Sequence, residues 1–345
     1  MRTCLQFATA IALLASGASA QQSSAEPYKV VKTAKVGGAG GYDYVFADVD
    51  GRRLYIARTG QAASRMTVFN LDTLEPVGEI PTTNSHGAVV DPKSNHGIIS
   101  SKPILMFDSK TMMPIQKIEV QGNPDGMLFD ASDQKVYILS HASPHVTAIS
   151  TKDGSVLGTV DIGGMPEQAA ADGKGHLYID VEDKDNIAVV DTKSLTVTSH
   201  YDLAGKGGTC AGLALDAKNR ILFAACRNPA NMVILSADDG KIITTLPIGT
   251  GTDGASFNPN TMEAFSSQGD GTLSIIKENS PTSFVVEQTV QTIPGARTST
   301  LDTKTNRLIL IGAEFGPPTP PAQPGGRAGR GAIIPDSFTI LAVGK

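Results

Sequence analysis

A phrase of about forty residues recurs seven times along the chain and limits the possible folds more than any other feature. Each copy has an apolar run that ends in an anchor residue, a tight turn and a second apolar run. The anchors are Asp48, Asp91, Asp130, Asp172, Asp216, Asn258 and Asp302, spaced by 43, 39, 42, 44, 42 and 44 residues. A third run and a more alternating fourth run follow, and four strands in about 40 to 45 residues indicate a β-propeller blade.

The repeat count and the chain termini together predict an all-β, seven-bladed β-propeller. The chain has 36 Gly and 20 Pro, a composition that favours short strands and turns. The seventh unit ends one strand short, whereas residues 28–36 form a surplus strand before the first repeat. If this strand pairs into the last blade, the ring closes and the third strand of that blade is not left as an unpaired edge. A linear solenoid of the same period would leave both facts unexplained.

Several strands resemble a known repeat. The segments Tyr55-Ile56-Ala57-Arg58, Tyr137-Ile138-Leu139-Ser140 and Tyr178-Ile179-Asp180-Val181, with the third-strand segment Ile187-Ala188-Val189-Val190-Asp191-Thr192, are similar to the YVTN-type repeat of the YncE-like β-propeller family. All three copies of the first kind depart from the family pattern at its final Asn. The resemblance implies an exported, seven-bladed protein, but such a fold serves binding, scaffolding and catalysis alike.

The first twenty residues are predicted to be a signal peptide that is removed. Arg2 gives a positive start, residues 8–15 are apolar but too short to span a bilayer, and Ala18-Ser19-Ala20 is a small-residue cleavage pattern. Residues 21–345 would then be a single propeller domain, periplasmic or secreted. This part contains no second long apolar stretch, so no membrane insertion is expected. The net charge of −5 makes nucleic acid an unlikely partner.

One column of the repeat is rich in ionisable residues. The residues five before the anchors are Asp43, His86, Asp125, Glu167, Ala211, Asp253 and Arg297. In a propeller, they should lie beside the central channel on one face. Carboxylates that converge there would repel each other unless a cation balances them. The six ionisable members therefore predict a polar ligand-binding site at the channel mouth, with a divalent metal as a possible occupant. The alternative for Asp125 and Asp253 is an ordinary turn aspartate that bonds to its own backbone.

These features favour a binding protein that takes a small molecule, a metal ion or a protein partner at the ring-bearing face and performs no chemistry. The alternative is a metal-dependent lyase or hydrolase that uses His86 with Asp43, Asp125 or Glu167. A third possibility is a scaffold for protein interactions. The sequence has no nucleophile elbow, phosphate-binding loop or Cys-x-x-Cys pair, and it has no Trp. It assigns neither a ligand nor a catalytic residue.

Two loops add weaker signals. His141 and His145 lie in a loop on the ring-bearing face, but on a loop this spacing does not direct both rings to one side. In the last blade, residues 313–337 replace a short loop and contain six Pro and five Gly. This insertion could be a lid, a partner-binding arm or a disordered segment. His96 and His176 should lie on the opposite face.

Cys210 and Cys226 are the two cysteines that remain after removal of the signal peptide. They are equidistant from the centre of the turn between Asp216 and Arg220, so they should face each other across the first two strands of the fifth blade. Directly opposed residues of an antiparallel pair are close enough for a disulfide. In an oxidising compartment, we therefore predict a Cys210–Cys226 bridge. The alternative is two buried thiols.

Overall fold

The computed structural model describes residues 26–60, 64–141, 143–319 and 331–345, in which 28 β-strands form seven four-stranded antiparallel sheets. The sheets are the blades of a seven-bladed β-propeller, which confirms the predicted fold class. The residues it describes contain no helix that could span a membrane. The predicted signal peptide, residues 1–20, lies outside the described residues.

The first four blades run in chain order from their innermost to their outermost strand. Blade 1 comprises β2 (Gly41–Asp48), β3 (Arg53–Thr59), β4 (Arg65–Asn70) and β5 (Pro76–Pro81). Blade 2 comprises β6 (Gly87–Asp91), β7 (His96–Ser100), β8 (Ile104–Asp108) and β9 (Pro114–Ile118). Blade 3 comprises β10 (Pro124–Asp130), β11 (Lys135–Ser140), β12 (His145–Ser150) and β13 (Val156–Asp161). Blade 4 comprises β14 (Pro166–Ala171), β15 (His176–Val181), β16 (Asn186–Asp191) and β17 (Thr196–Asp202).

Two more blades follow the same order, and the last one takes its outermost strand from the start of the chain. Blade 5 comprises β18 (Cys210–Asp216), β19 (Ile221–Arg227), β20 (Ala230–Ser236) and β21 (Ile242–Pro247). Blade 6 comprises β22 (Thr252–Asn258), β23 (Glu263–Gln268), β24 (Thr272–Ser280) and β25 (Ser283–Gln291). Blade 7 comprises β26 (Ser299–Asp302), β27 (Arg307–Gly312), β28 (Thr339–Gly344) and β1 (Lys29–Lys35).

The hydrophobic core lies between successive blades. The second and third strands are buried along nearly their whole length, as in β15, because neighbouring blades cover both of their faces. Tyr55 of blade 1 packs in one cluster with Ile99 and Phe107 of blade 2. The outermost strands are mostly exposed, as in β13, since they have a neighbour on one side only. This distribution is the physical reason why the apolar runs are continuous in the inner strands and alternate in the outer one.

The anchor residues recur because each closes the turn that follows the innermost strand. The side-chain oxygen of Asp91 accepts a hydrogen bond from the backbone N–H of Lys93 at 2.9 Å, and Asp130 accepts one from Ser132 at 2.8 Å. The remaining anchors accept equivalent bonds two or three residues on. Asp and Asn are favoured there because their short side chains make this local bond.

The N-terminal strand closes the ring, as predicted. Strand β1 pairs antiparallel with β28, from Lys29 opposite Gly344 to Lys35 opposite Thr339. Just before this strand, Tyr28 is buried and its hydroxyl donates to Glu263 of blade 6. The closure therefore completes blade 7 and also joins it to the preceding blade.

The insertion at 313–337 begins as a short paired segment. Phe315 forms an isolated antiparallel bridge with Ile333, and the N–H of Gly316 donates to the carbonyl of Ala332 at 2.8 Å. Residues 320–330 lie outside the described residues, so the choice between a lid, a partner-binding arm and a disordered segment stays open.

The predicted disulfide is present. Cys210 and Cys226 are register partners in the β18–β19 pair and are joined by a disulfide. Their Cα atoms are 3.7 Å apart, closer than the roughly 4.5 to 5.5 Å of an ordinary opposed pair. The register shifts directly after Cys210, so the bond lies at the edge of a β-bulge rather than in a regular ladder. A disulfide is consistent with a location outside the cytoplasm.

We expect replacement of both cysteines by Ser to lower the free energy of unfolding by about 3 kcal/mol, because the bridge closes a short loop in the unfolded chain. The sequence separation is 16 residues. Urea unfolding of the oxidised protein, the reduced protein and the double variant would measure the change. Equal stability of all three would show that the bridge does not constrain the unfolded state.

Candidate functional site

β-Bulges direct most of the predicted ring side chains into the channel. In the β2–β3 pair, the register shifts between Tyr42 and Val45, so Asp43 lies in a bulge. Asp125, Glu167 and Asp253 lie at equivalent shifts in blades 3, 4 and 6. A bulge places two residues opposite one and re-aims their side chains. These residues therefore lie in the bulged first residues of the innermost strands rather than in the loops before them.

The first half of the ring is centred on His86. Its Nδ1 lies 2.7 Å from Oδ2 of Asp43 and 3.3 Å from Oδ1 of Asp125. The three side chains come from three successive blades and are each about one-fifth exposed. Their ligand atoms lie close enough together to hold a metal ion. We call Asp43, His86 and Asp125 the first trio.

A second trio uses a residue outside the predicted set. Nδ1 of His141 lies 2.8 Å from Oε2 of Glu167, and the two side chains form with Asp125 another group of potential metal ligands. Asp125 therefore belongs to both trios. The other ring nitrogen of His141 is 3.9 Å from Oε2 of Glu182.

The far side of the mouth is built on two arginines. Arg227 donates to Oε1 of Glu182 at 2.6 Å and also to Asp253. Nε of Arg297 lies 3.0 Å from the other carboxylate oxygen of Asp253. Carboxylates and cations therefore alternate around the channel, and the ring residues supply much of the charge balance that a ligand could otherwise provide.

The pKa values of the ionisable side chains at the channel mouth follow from burial and from these contacts. Burial, with the charge of Asp43, raises the pKa of Asp125 to about 7. Contact with Glu167 raises the pKa of His141 to about 9, and the hydrogen bond to Asp43 raises that of His86. Burial raises the pKa of Asp253 to about 6, although both neighbouring arginines oppose the change. Asp125 and Asp253 can therefore exchange protons near neutral pH.

Two further groups lie behind the ring. The hydroxyl of Tyr44 crosses the channel from blade 1 and donates to Oε1 of Glu167 in blade 4 at 3.4 Å. Asp180 is fully buried opposite the bulge at Glu167, and neither of its carboxylate oxygens accepts a hydrogen bond of full geometry among the described residues, although the nearby backbone N–H of Gly212 acts to lower its pKa. Burial, followed by the charge of Glu167, raises the pKa of Asp180 well above its ordinary value. Tyr44 and Glu167 both line a channel cavity of about 230 Å³.

Arg58, on the same face, has a structural role. It is buried, and its guanidinium donates to the backbone carbonyls of residues 37–41 at 3.0 to 3.3 Å. The guanidinium also stacks over the ring of Phe338 at 3.9 Å. Burial, with the nearby charge of Arg65, lowers the pKa of Arg58 to about 10. The residue fixes the segment that leads into Asp43.

The remaining histidines lie apart from the ring. His145 contacts Oγ of Ser143 at 2.7 Å, whereas His176 contacts Asp172 at 2.9 Å beside a turn on the opposite face. Nδ1 of His96 contacts the backbone oxygen of Thr151.

Sequence reasoning missed Glu182 and Arg227 and gave His141 only a weak signal, although a second column of the repeat contains all three. His141 and Arg227 each lie eleven residues after their anchors, and Glu182 lies ten after Asp172, because the second strand of blade 4 begins one residue sooner after its anchor. This column marks the end of the second strand, which is adjacent to the bulge of the first. For Asp125 and Asp253, the turn interpretation is not what the structure shows, because their carboxylates contact His86 and the two arginines.

No protein-family model matches the sequence, and no curated protein is significantly similar to it. Among solved structures, the chain is similar to one described as "Structure of U3-55K", with a TM-score of 0.72 and 10% identity over 91% of this chain and 98% of that chain. It is also similar to a chain of "Crystal Structure of Mitotic Checkpoint Complex", with a TM-score of 0.71 and 11% identity over 88% and 95% of the two chains. At such identities, the likeness shows the fold alone.

The blades and these likenesses define the class of the protein as a seven-bladed β-propeller. A propeller with a polar channel mouth fits a binding or scaffold role.

Proposed function

We propose that the protein is an exported binding protein that holds a divalent metal ion at its channel mouth, and that it belongs to the YVTN-type family its strands resemble. The observation that carries the metal proposal is the position of Asp125, which belongs to both trios. Within each trio, the potential ligand atoms lie within 4.8 Å of one another. Mixed imidazole and carboxylate ligands suit first-row divalent ions such as Zn²⁺ better than Mg²⁺ or Ca²⁺.

The contacts of the two histidines support this assignment. Each histidine directs Nδ1 at a carboxylate oxygen, 2.7 Å away for His86 and 2.8 Å away for His141. Without an ion, a protonated Nδ1 of each imidazole can donate a hydrogen bond to its carboxylate. A metal ion would replace those protons, since it binds neutral imidazole and ionised carboxylate. Metal uptake should therefore release protons and become weaker as the pH falls.

Substitution of Asp125 by Asn should weaken Zn²⁺ binding by at least about a hundredfold, because the change removes the shared ligand. His86→Ala and His141→Ala each alter one trio and would show which trio holds the ion. His176→Ala is the matched control, since His176 also contacts an aspartate, at 2.9 Å, on the opposite face. Calorimetric titration of chelator-treated protein with Zn²⁺, with metal analysis, would measure the affinity and stoichiometry. Absence of binding to the unsubstituted protein, or an equal loss in His176→Ala, would contradict the proposal.

The pKa of Asp125, raised to about 7 by burial and by Asp43, favours a second candidate function. A carboxyl group that exchanges its proton near neutral pH is suited to general acid or base catalysis in a lyase or hydrolase, provided that other residues hold the metal and leave this group unbound. In that case, His86 would act with Asp43, Asp125 or Glu167. Co²⁺ substitution would separate the two functions. Added small anions would change the visible spectrum of an ion with an open coordination position and leave that of a closed site unchanged.

The same face could also bind a protein partner. The chain named after the mitotic checkpoint complex comes from an assembly, but that likeness extends only to the fold. A protein partner would contact the rim of the mouth around the exposed Arg297.

A further inference from the structure

Arg297 is the last residue in the series of charged contacts around the mouth, and only part of its guanidinium contacts a carboxylate. Its Nε contacts Asp253 at 3.0 Å, and its side chain is 40% exposed. Among the described residues, neither of its terminal amino groups donates a hydrogen bond to a protein acceptor. Asp253 is also bound by Arg227, so the two arginines share one carboxylate. Arg297 therefore keeps hydrogen-bond donors and positive charge available at the surface of the mouth.

These donors line a small cleft between blade 7 and blade 1, with a volume of about 90 Å³. Its other walls include the side chains of Tyr42, Phe315 and Ile333, which are largely apolar, together with Asp43. Asp43 would repel an anion, but its carboxylate is held by His86 at 2.7 Å. The cleft thus combines Arg297 and the polar residues Asp43 and Thr298 with an apolar wall of three side chains.

Packing fixes the shape of this cleft. The hydroxyl of Tyr42 donates to the carbonyl of Gly295 at 3.1 Å. Gly295 has a φ of 89°, and a Cβ atom at this position would lie 2.9 Å from the ring of Phe315. The antiparallel bridge of Phe315 with Ile333 holds the opposite wall. The apolar walls are therefore positioned before any ligand arrives, which reduces the entropic cost of binding.

We propose that this cleft binds a short-chain carboxylate, with the carboxylate group on the terminal amino groups of Arg297 and the alkyl chain against Tyr42, Phe315 and Ile333. A guanidinium fork matches the geometry of a carboxylate. The apolar walls favour an organic acid over inorganic phosphate, whose charged oxygens would have to lose water there without new partners. This site shares Asp43 with the first trio, but none of its other lining residues belongs to either trio, and it can be tested without metal.

The probe is butyrate, titrated into chelator-treated protein and observed by saturation-transfer NMR, with acetate and inorganic phosphate in parallel. We expect butyrate to bind more tightly than acetate, and phosphate to bind weakly or not at all. Arg297→Gln should weaken butyrate binding by about tenfold, the loss expected for a charge-assisted hydrogen bond. Phe315→Ala should weaken butyrate more than acetate.

Lys35→Gln is the matched control. Lys35 is an exposed cation near the base of the insertion, 3.8 Å from Glu314, and it does not line the cleft. If Lys35→Gln lowers butyrate binding as much as Arg297→Gln does, general charge attraction explains the result and the proposal is wrong. Tighter binding of phosphate than of butyrate would overturn the carboxylate assignment. If Arg297→Gln does not fold, Arg297→Lys and Phe315→Ala still decide the outcome.

Discussion

A chain that begins at residue 37, and so lacks β1, should fail to give a soluble protein with a cooperative unfolding transition. The deletion removes β1, which pairs with β28 from Lys29 to Lys35, and therefore leaves β28 as an exposed strand edge. It also removes Tyr28, whose ring packs 5.7 Å from that of Phe265 in blade 6. We expect a loss of more than about 5 kcal/mol, comparable with the whole stability of many domains.

The control is a chain that begins at Glu26, which keeps Tyr28 and all of β1. Yield of soluble protein, size-exclusion chromatography and thermal unfolding followed by circular dichroism would compare the two chains. If the shorter chain is monomeric and unfolds cooperatively at the temperature of the control, ring closure by β1 is not needed for stability.

Substitution of Asp180 by Asn should change the pH dependence of stability. Because burial raises the pKa of Asp180, its carboxyl is neutral in the folded protein but ionises near its ordinary pKa once unfolded. Its contribution to stability is fully present below that ordinary value and is lost as the pH rises towards the folded pKa. The loss is about 1.4 kcal/mol per pH unit for one proton. Asn does not ionise, so the variant should gain on the original protein by about this amount per pH unit above the ordinary aspartate pKa and below the raised pKa of the folded protein.

Urea unfolding at several pH values would measure this slope. Asp172→Asn is the opposing control, because backbone hydrogen bonds, His176 and Arg220 lower the pKa of Asp172 against the effect of burial. A lowered pKa contributes stability above the ordinary value that is lost as the pH falls. The Asp172 variant should therefore be the less stable protein at neutral pH, and its deficit should shrink in acid. Parallel pH profiles for Asp180→Asn and the original protein would show that Asp180 is ionised in the fold.

The combination of a metal site and a carboxylate cleft would make the mouth a site with two chemical functions. Asp43 belongs to the first trio and also lines the cleft beside Arg297. A carboxylate on Arg297 would therefore lie next to an ion held by that trio. The metal titration and the butyrate titration use separate variants, so failure of one leaves the other intact.

The sequence alone determined the class of the fold, the closure of the ring and the disulfide. The fold class and the disulfide follow from patterns that are local in the chain, whereas the closure follows from the strand count, which leaves one strand too few at the end and one too many at the start. The anchor aspartates recur because each closes its own turn, the apolar runs alternate or continue according to how many faces are covered, and the partner of Cys210 follows from the centre of one hairpin. Such relations hold within a few residues or within one blade, so they can be read from spacing.

Only the tertiary structure decided which charged side chains meet. The column before the anchors identified six residues beside the channel, but it could not show that His86 lies between Asp43 and Asp125, or that His141 approaches Glu167. These contacts join residues of different blades, and β-bulges set the directions of several of the side chains. The buried Asp180 was hidden for the same reason, because its environment comes from the bulge opposite it and from the next blade. Spacing along one chain records neither the direction of a bulge nor the approach of a neighbouring blade.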